Sequence, residues 1–393
     1  MLESWSVRLL FPGDLDAVFN GGLNLLRDSV ARNSADDCSK CCWCTVQNVA
    51  LCREADCVYM KPSYQRLLSL EWRKDVKKVR YRQYGAAYVA QKYCGLPLFK
   101  ELRIRGEWQH GWHPEEHNVH PELVIGNNGL SKTGRSNYYW VARKDQEEYL
   151  KSHGYINAQA IGLPIIYVEK PKIRRVEGSL LVMPAHSLPT TTHKWDMQTY
   201  AREIGEISSR FSKVVVCVHP SCLKKRYWVD EFEKRGFSVI PGADPYDSNS
   251  LSRMAELFCG FKYVTGNTFG SYIVYSAFFG AKPSIYGSYA EYREEEQRNT
   301  PLYMNCPELL PIVTNLTNET NIRKTYDWLF SDPDAARSHK GWADYQLGQS
   351  NKLEKNALRC VLAPRKWLFT LGCLQDTGHY FTKSALLNHS RAR

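Results

Sequence analysis

Residues 260–292 read GFKYVTGNTFGSYIVYSAFFGAKPSIYGSYAEY. Phe261 to Val264 predicts a buried strand. A small polar turn follows (Thr265, Gly266, Asn267, Thr268), then a helix opening at Gly270 and Ser271 and a second strand near Pro283 to Tyr286. Short apolar runs punctuated by Gly and Pro, with a helical segment between them, form the pattern of a β-α-β unit in a parallel sheet. The turn falls where strand passes to helix. Unpaired backbone N–H groups and the positive end of the helix dipole collect there and favour a phosphate. The same residues also make good helix caps, so the turn alone reads equally well both ways.

Working outward, the alternation extends toward the amino terminus as far as residue 179. Ser179 to Met183 predicts a strand ending in Pro184-Ala185-His186-Ser187. Met197, Tyr200, Ile204, Ile207 and Phe211 recur at helical spacing. Val214 to Val218 predicts a strand ending in His219-Pro220. A helix over 228–234, a strand over 237–240 and a helix over 251–258 lead back to the opening stretch. Strands alternating with helices in this way predict a doubly wound parallel sheet, whose ligands bind beyond the carboxyl ends of the strands. That rule makes His186, Ser187, His219 and residues 265–268 neighbours in space.

The amino-terminal half is less regular. It predicts a strand at 7–11, a helix at 15–27, a strand at 56–60, and a strand running into a loop over ELRIRGEWQHGW (101–112). Leu123 to Ile125 and Tyr138 to Val141 read as strands, Asp145 opens a helix stopped by Gly154, and Ala158 to Tyr167 reads as a strand leaving the first domain. The charged stretch EKPKIRRVE (169–177) marks a boundary. The domains expected are 1–170, 171–310 and a helical segment 311–393, with Trp328, Trp342 and Trp367 as packing anchors.

Composition bounds the class. The chain has 393 residues, 43% hydrophobic and 24% charged, which is globular and roomy enough for two domains. It contains no apolar run long enough to span a bilayer, and its first residues lack a basic leader, so a cytoplasmic protein is expected. Lysine and arginine exceed aspartate and glutamate by 52 − 41 = 11, and ten basic residues face three acidic ones over 71–106. Such a surface suits an anionic substrate or a peripheral contact with an anionic membrane. The aromatics do not interleave with these charges, which ranks nucleic acid last. Cys38, Cys41, Cys42 and Cys44, followed by Cys52 and Cys57, include a metal-ligand spacing, but no second C-x2-C pair follows.

The stretch VCVHP (216–220) together with YVTGNTFGSYIVYSAFFGAKPSIYGSYAEY resembles the carboxyl-terminal half of GT-B glycosyltransferases. Within them it is most similar to the circle of CDP-glycerol glycerophosphotransferases, polysialyltransferases and capsule Kdo-transferases. The resemblance rests on His219-Pro220, residues 265–271, Lys282-Pro283 and Glu291-Tyr292. On the amino-terminal side it rests on Trp108-Gln109-His110-Gly111-Trp112 and on YYWVARKDQEEYLKSHGY (138–155). The chain departs from the glycerophosphotransferases in carrying VMPAHS at 182–187, and it lacks the acidic-acidic-Gly motif of GT-B sialyltransferases.

The resemblance implies an α/β fold of two Rossmann-like domains facing each other across a cleft, with carboxyl-terminal helices. It implies a metal-independent transferase moving a sugar from a nucleotide-activated donor to a surface polysaccharide or lipid-linked glycan, with no cofactor beyond the nucleotide sugar. The donor-binding set would be His186, Ser187, His219, Pro220, Thr265, Gly266, Asn267, Thr268, Gly270, Ser271 and Glu291. His110 would be the general base, its ordinary pKa near 6.5 suiting that role, with Glu107 in reserve. His113, His117 and His120 have a zinc-compatible spacing but read as acceptor-loop histidines, because no acidic metal site accompanies them. A nucleotide-sugar epimerase and a non-catalytic glycan-assembly protein on the same scaffold are the alternatives.

Overall fold

The computed structural model describes residues 84–98, 102–125 and 134–363, all within one compact unit, Pro62–Arg393. The elements expected at 7–11, 15–27 and 56–60, the cysteine-rich stretch 38–57, Trp367 and residues 71–83 and 99–101 of the basic stretch lie outside the described residues.

Two parallel sheets organise the rest. The first has three strands in the order β1 (Glu107–Trp108), β2 (Tyr139–Val141) and β3 (Ala158–Ala160). The second has five: β4 (Val176–Val182), β5 (Lys213–Val218), β6 (Ser238–Pro241), β7 (Phe261–Gly266) and β8 (Lys282–Ile285), in the spatial order β6-β5-β4-β7-β8. The chain winds outward from β4 to β6, crosses back to β7 beside β4, and finishes at β8. This is the doubly wound order, with its switch point at β4. Helices α1 (Ala86–Tyr93), α2 (Pro121–Ile125) and α3 (Lys144–Ser152) accompany the small sheet. Helices α4 (Met197–Ile207), α5 (Pro220–Lys225), α6 (Val229–Glu233), α7 (Ser250–Gly260) and α8 (Ser271–Phe278) accompany the large one.

The strands alternate sides, and that alternation sets the layers. Leu181, Val215 and Cys217 face one cluster, which also holds Trp108, Trp140 and Ile161 of the small sheet. Leu180, Val182, Val216 and Val218 face the opposite side and pack on Tyr200, Ile204 and Phe232. Tyr139, Val141 and Ala158 fill the far side of the small sheet. Both sheets thus share one apolar layer, and each has a second layer of its own. Strands buried on both faces read as nearly continuous apolar runs, which is why 214–218 was conspicuous; 261–264 holds Lys262 at a partly exposed position.

Helices α9 (Glu294–Gln297), α10 (Pro301–Asn305), α11 (Leu309–Thr317), α12 (Glu319–Tyr326), α13 (Lys340–Gln346) and α14 (Lys355–Leu362) complete the described chain. Helix α13 packs on α8, and α14 packs on α1.

Three expectations are corrected. Residues 123–125 belong to α2 and not to a strand: Pro121 opens the helix, and the ring Nδ1 of His120 accepts the Glu122 N–H at 3.2 Å. Only Ala158–Ala160 of the expected strand 158–167 is extended. Gly162 at φ 79° turns the chain, and Pro164 opens a short 3-10 helix, Pro164–Tyr167. Trp342 does pack in the shared layer, but Trp328 is 38% exposed and only flanks it.

A buried polar junction joins the small sheet to α13. Arg143, 2% exposed, follows β2 and grips both oxygens of Asp145 at 3.0 Å. Its remaining nitrogen donates to the His113 carbonyl (3.0 Å) and to Gln346 Oε1 (2.9 Å), which also accepts the Trp112 indole N–H at 2.9 Å. A planar five-donor fork serves three acceptor groups here, and an ammonium on a flexible stem cannot. Arg143→Lys should therefore cost about 2 to 3 kcal/mol in urea unfolding, with the Gln346 and Trp112 contacts loosened together.

Candidate functional site

The carboxyl edge of the five-stranded sheet collects the polar strand ends. Val182 pairs with Val216 of β5 and with Thr265 of β7, so these three strands end at one level. His186 and His219 lie there with ring centroids 5.1 Å apart. His219 caps α5: its Nδ1 accepts the Ser221 N–H at 3.2 Å, and Pro220 is the first helical residue. That bond fixes the tautomer, leaving Nε2 to carry the proton. Burial, with a smaller contribution from His186, pulls the His219 pKa down to about 3, so the ring is a neutral donor at physiological pH. His186 is exposed, yet the protein packed around its ring, with a smaller contribution from His193, lowers its pKa to about 4. Tyr292 clasps the His186 backbone, donating its hydroxyl to the carbonyl (3.1 Å) and accepting the N–H (3.3 Å).

Several residues expected to hold a ligand are consumed in building this rim. Asn267 is buried, its Oδ1 accepting the Ala185 N–H (3.0 Å) and its Nδ2 donating to the Ser288 carbonyl (3.2 Å). It staples the ends of β4, β7 and β8 together. Thr265 Oγ1 accepts the Ser284 hydroxyl at 2.9 Å inside the sheet. Ser187 is fully buried, its N–H on Cys222 Sγ and its hydroxyl on Leu188 O. The Thr268 carbonyl accepts the Tyr272 hydroxyl at 2.9 Å. Gly266 is there for space: a Cβ would strike the Met183 carbonyl and come 2.7 Å from Tyr272 Oη. The Glu291 side chain is exposed, and its backbone carbonyl holds the Trp195 indole N–H at 2.9 Å.

The start of α8 is different. Gly270 is its extended N-cap and offers no side chain. The amides of Gly270, Ser271 and Tyr272 find no acceptor among the described residues. Three orphan donors at a helix N-terminus form the ordinary cradle for an anion.

The loop after β1 docks on this same helix end. The Trp112 N–H donates to Ser271 Oγ (3.0 Å), and the Tyr275 hydroxyl donates to the His110 carbonyl (3.2 Å). His110 stacks on Tyr84, ring centroids 5.9 Å apart, and its buried Nδ1 has no partner. Burial lowers its pKa, so it is neutral at pH 7. Glu107 stays on β1; its carboxylate makes no hydrogen bond among the described residues, and burial raises its pKa. His113 and His117 approach through their Nδ1 atoms at 3.4 Å, whereas His120 is spent as a cap. Among the described residues no group of three or more His, Cys, Asp or Glu is arranged to hold a metal.

Two features were missed by reading the sequence. His193 bonds Glu296 (2.8 Å) and Thr191 (2.9 Å) and stacks flat on Trp195, pinning the segment after His186. Its partner Glu296 lies 103 residues away. Arg143 and Asp145 stand two apart in the sequence, a spacing that could have flagged the ion pair, but Gln346 could not have been anticipated.

No protein-family model matches the chain, and no curated protein does. Among solved structures it is similar to the pneumococcal O-GlcNAc transferase GtfA, crystallised with UDP and GlcNAc. The identity is 10% and the TM-score 0.31, over 67% of this chain and 51% of that one, so the chain spans about half the length of that neighbour. The fold is therefore taken from the strand order alone.

The histidines make stability depend on pH. An imidazole with a lowered folded-state pKa takes its proton first in the unfolded chain, near 6.5. Its contribution is complete above that pH and is lost as the pH falls toward the folded value. For His219 that value is about 3, and for His186 and His117 about 4. The melting temperature should hold above pH 6.5 and drop steadily between pH 6.5 and 4. A His117→Gln variant should show a shallower drop in the same thermal scans.

Proposed function

We propose that the chain is a transferase moving a sugar from a nucleotide-activated donor to a hydroxyl acceptor on a glycan or lipid-linked glycan. The observation that carries this reading is one edge where three unpaired helix-terminal amides lie on the same rim as two neutral imidazoles, with a histidine loop from the other sheet docked on it. The donor diphosphate would lie on the Gly270–Tyr272 amides. His219 Nε2–H would donate to the leaving phosphate oxygen, and His186 would border the same space. Thr265, Gly266, Asn267 and Ser187 would serve by holding the rim in shape.

His110 would act as base. The acceptor oxygen attacks the anomeric carbon, its proton passes to the imidazole, and the carbon–oxygen bond to the donor phosphate breaks with the electron pair leaving on the nucleotide. A neutral ring is the protonation state this needs, and its unpartnered nitrogen keeps a hydrogen-bonding position open. Acceptors of surface-polysaccharide type, and work at the inner face of a membrane, belong to this proposal. An epimerase would turn over donor without acceptor, and an assembly protein would bind nucleotide weakly.

Thermal shift against CMP, CDP, UDP and GDP tests the donor site, because a ligand of the folded state raises the melting temperature. One nucleotide should do so and should slow hydrogen exchange at residues 265–272. His219→Asn retains a helix-capping side chain but loses the Nε2–H donor. It should melt like the parent and lose on the order of 10² to 10³ in turnover; unchanged turnover removes His219 from the mechanism.

His110→Ala should leave the nucleotide Kd within a few-fold while kcat falls by roughly 10² to 10⁴. A fall in melting temperature with a proportionate loss of every activity would make His110 a packing residue beside Tyr84.

A further inference from the structure

Helix α8 ends in a second polar environment. Its first residue, Ser271, meets the His110 loop, whereas its last, Phe278, lines a cavity of about 600 Å³. An eight-residue helix separates the two by about 10 Å, and the cavity shares no residue with the sheet edge. Five lysines line it, Lys92, Lys170, Lys340, Lys352 and Lys355, against one carboxylate, Glu169.

Those charges are incompletely neutralised. Lys92 reaches Glu169 at 3.6 Å, and Lys340 is held by Asp344 at 2.6 Å. Lys352 is half-buried, donates to the Ile166 carbonyl (2.7 Å), and lies over the rings of Tyr93 (5.1 Å) and Tyr167 (5.4 Å). Burial lowers its pKa, the mark of an ammonium short of solvation. Lys170 and Lys355 have no carboxylate partner among the described residues. Lys355 is the first residue of α14, where a cation adds to the positive end of the helix dipole. A bound anion would offset the partly desolvated Lys352 ammonium and the Lys355 charge at the positive end of the helix dipole.

Ser252 and Gln349 add polar groups, and Val89, Ile166, Tyr167, Phe278 and Phe279 supply an apolar part of the lining. A cavity of this size, with apolar residues and five lysines against one carboxylate, has the make-up of an anionic-ligand site. Inorganic phosphate would use the lysines and leave the apolar part empty.

We propose that this cavity is a second ligand site, distinct from the sheet edge, which takes a phosphate monoester of an apolar alcohol. The phosphate sits among Lys170, Lys352 and Lys355, and the apolar portion lies along Phe278 and Ile166. The ester can come from a bilayer lipid or a free metabolite, since both present the same chemistry.

Titration calorimetry of the full chain at low ionic strength, with octyl phosphate and with inorganic phosphate as probes, tests the proposal. Octyl phosphate should bind at least about ten-fold more tightly than inorganic phosphate, as burial of an alkyl chain requires. A Lys170→Glu/Lys355→Glu double variant changes two exposed side chains. It should melt like the parent and lose octyl phosphate affinity by about ten-fold or more, with nucleotide binding at the sheet edge unaltered. Retention on phosphatidylcholine vesicles containing phosphatidic acid, lost in the double variant, would identify a bilayer source; binding of the soluble ester without retention would identify a free one. Equal affinity for the two probes, or an unaffected double variant, overturns the proposal, and neither result bears on the transferase reading.

Discussion

Five parallel strands covered on both faces leave very little room for polar chemistry. The strands pair along their length, and the carboxyl-terminal halves of β4, β5 and β7 are buried on both faces beneath helical layers. An unpaired polar group inside such a stack costs too much to keep. Chemistry is therefore pushed to the strand ends, and the crossing from β6 back to β7 decides which ends meet. His186, His219 and the start of α8 share one rim because β5, β4 and β7 are neighbours, not because they are close in the chain.

Within that rim, polar residues divide by what they touch. Asn267 and Thr265 are the kind of side chain a phosphate would attract, yet both are turned inward and fully used. Their work is to fix the separation of three strand ends, which sets the place of the following helix start, where the Gly270 to Tyr272 amides find no acceptor among the described residues. A rim built this way is preorganised: donors are held by covalent and buried constraints before any anion arrives. The neutral state of His219 fits the same design, because an N–H donor held by a helix cap does not have to reorient.

The polar junction around Arg143 does for the small sheet what Asn267 does for the large one. One guanidinium holds the His113 carbonyl and Gln346 Oε1, which also accepts the Trp112 indole N–H, and Trp112 in turn reaches Ser271 through its backbone. The His110 loop is thus held from both sides, by α13 and by α8. Its geometry depends on a helix more than two hundred residues later in the sequence.

The elements of the large sheet were legible because burial on both faces favours nearly continuous apolar runs, and Gly, Pro and capping residues must stand where those runs end. The same logic made the strand-end histidines visible, since topology alone places them on an edge. The short strands of the small sheet were harder: three-residue runs such as Leu123 to Ile125 have no period of their own, and Pro121 and His120 tipped that one into a helix. Which polar residues face outward was decided only by tertiary structure. Asn267 and Gly270 lie three apart in one turn, yet one is sealed between strand ends and the other opens a helix. Side-chain direction there follows from contacts with Ala185 and Ser288, and the lysines around Phe278 converge from four separate segments. Local sequence carries the propensity of a residue to lie at an edge, but the partners that use it up, or leave it free, are brought by distant parts of the chain.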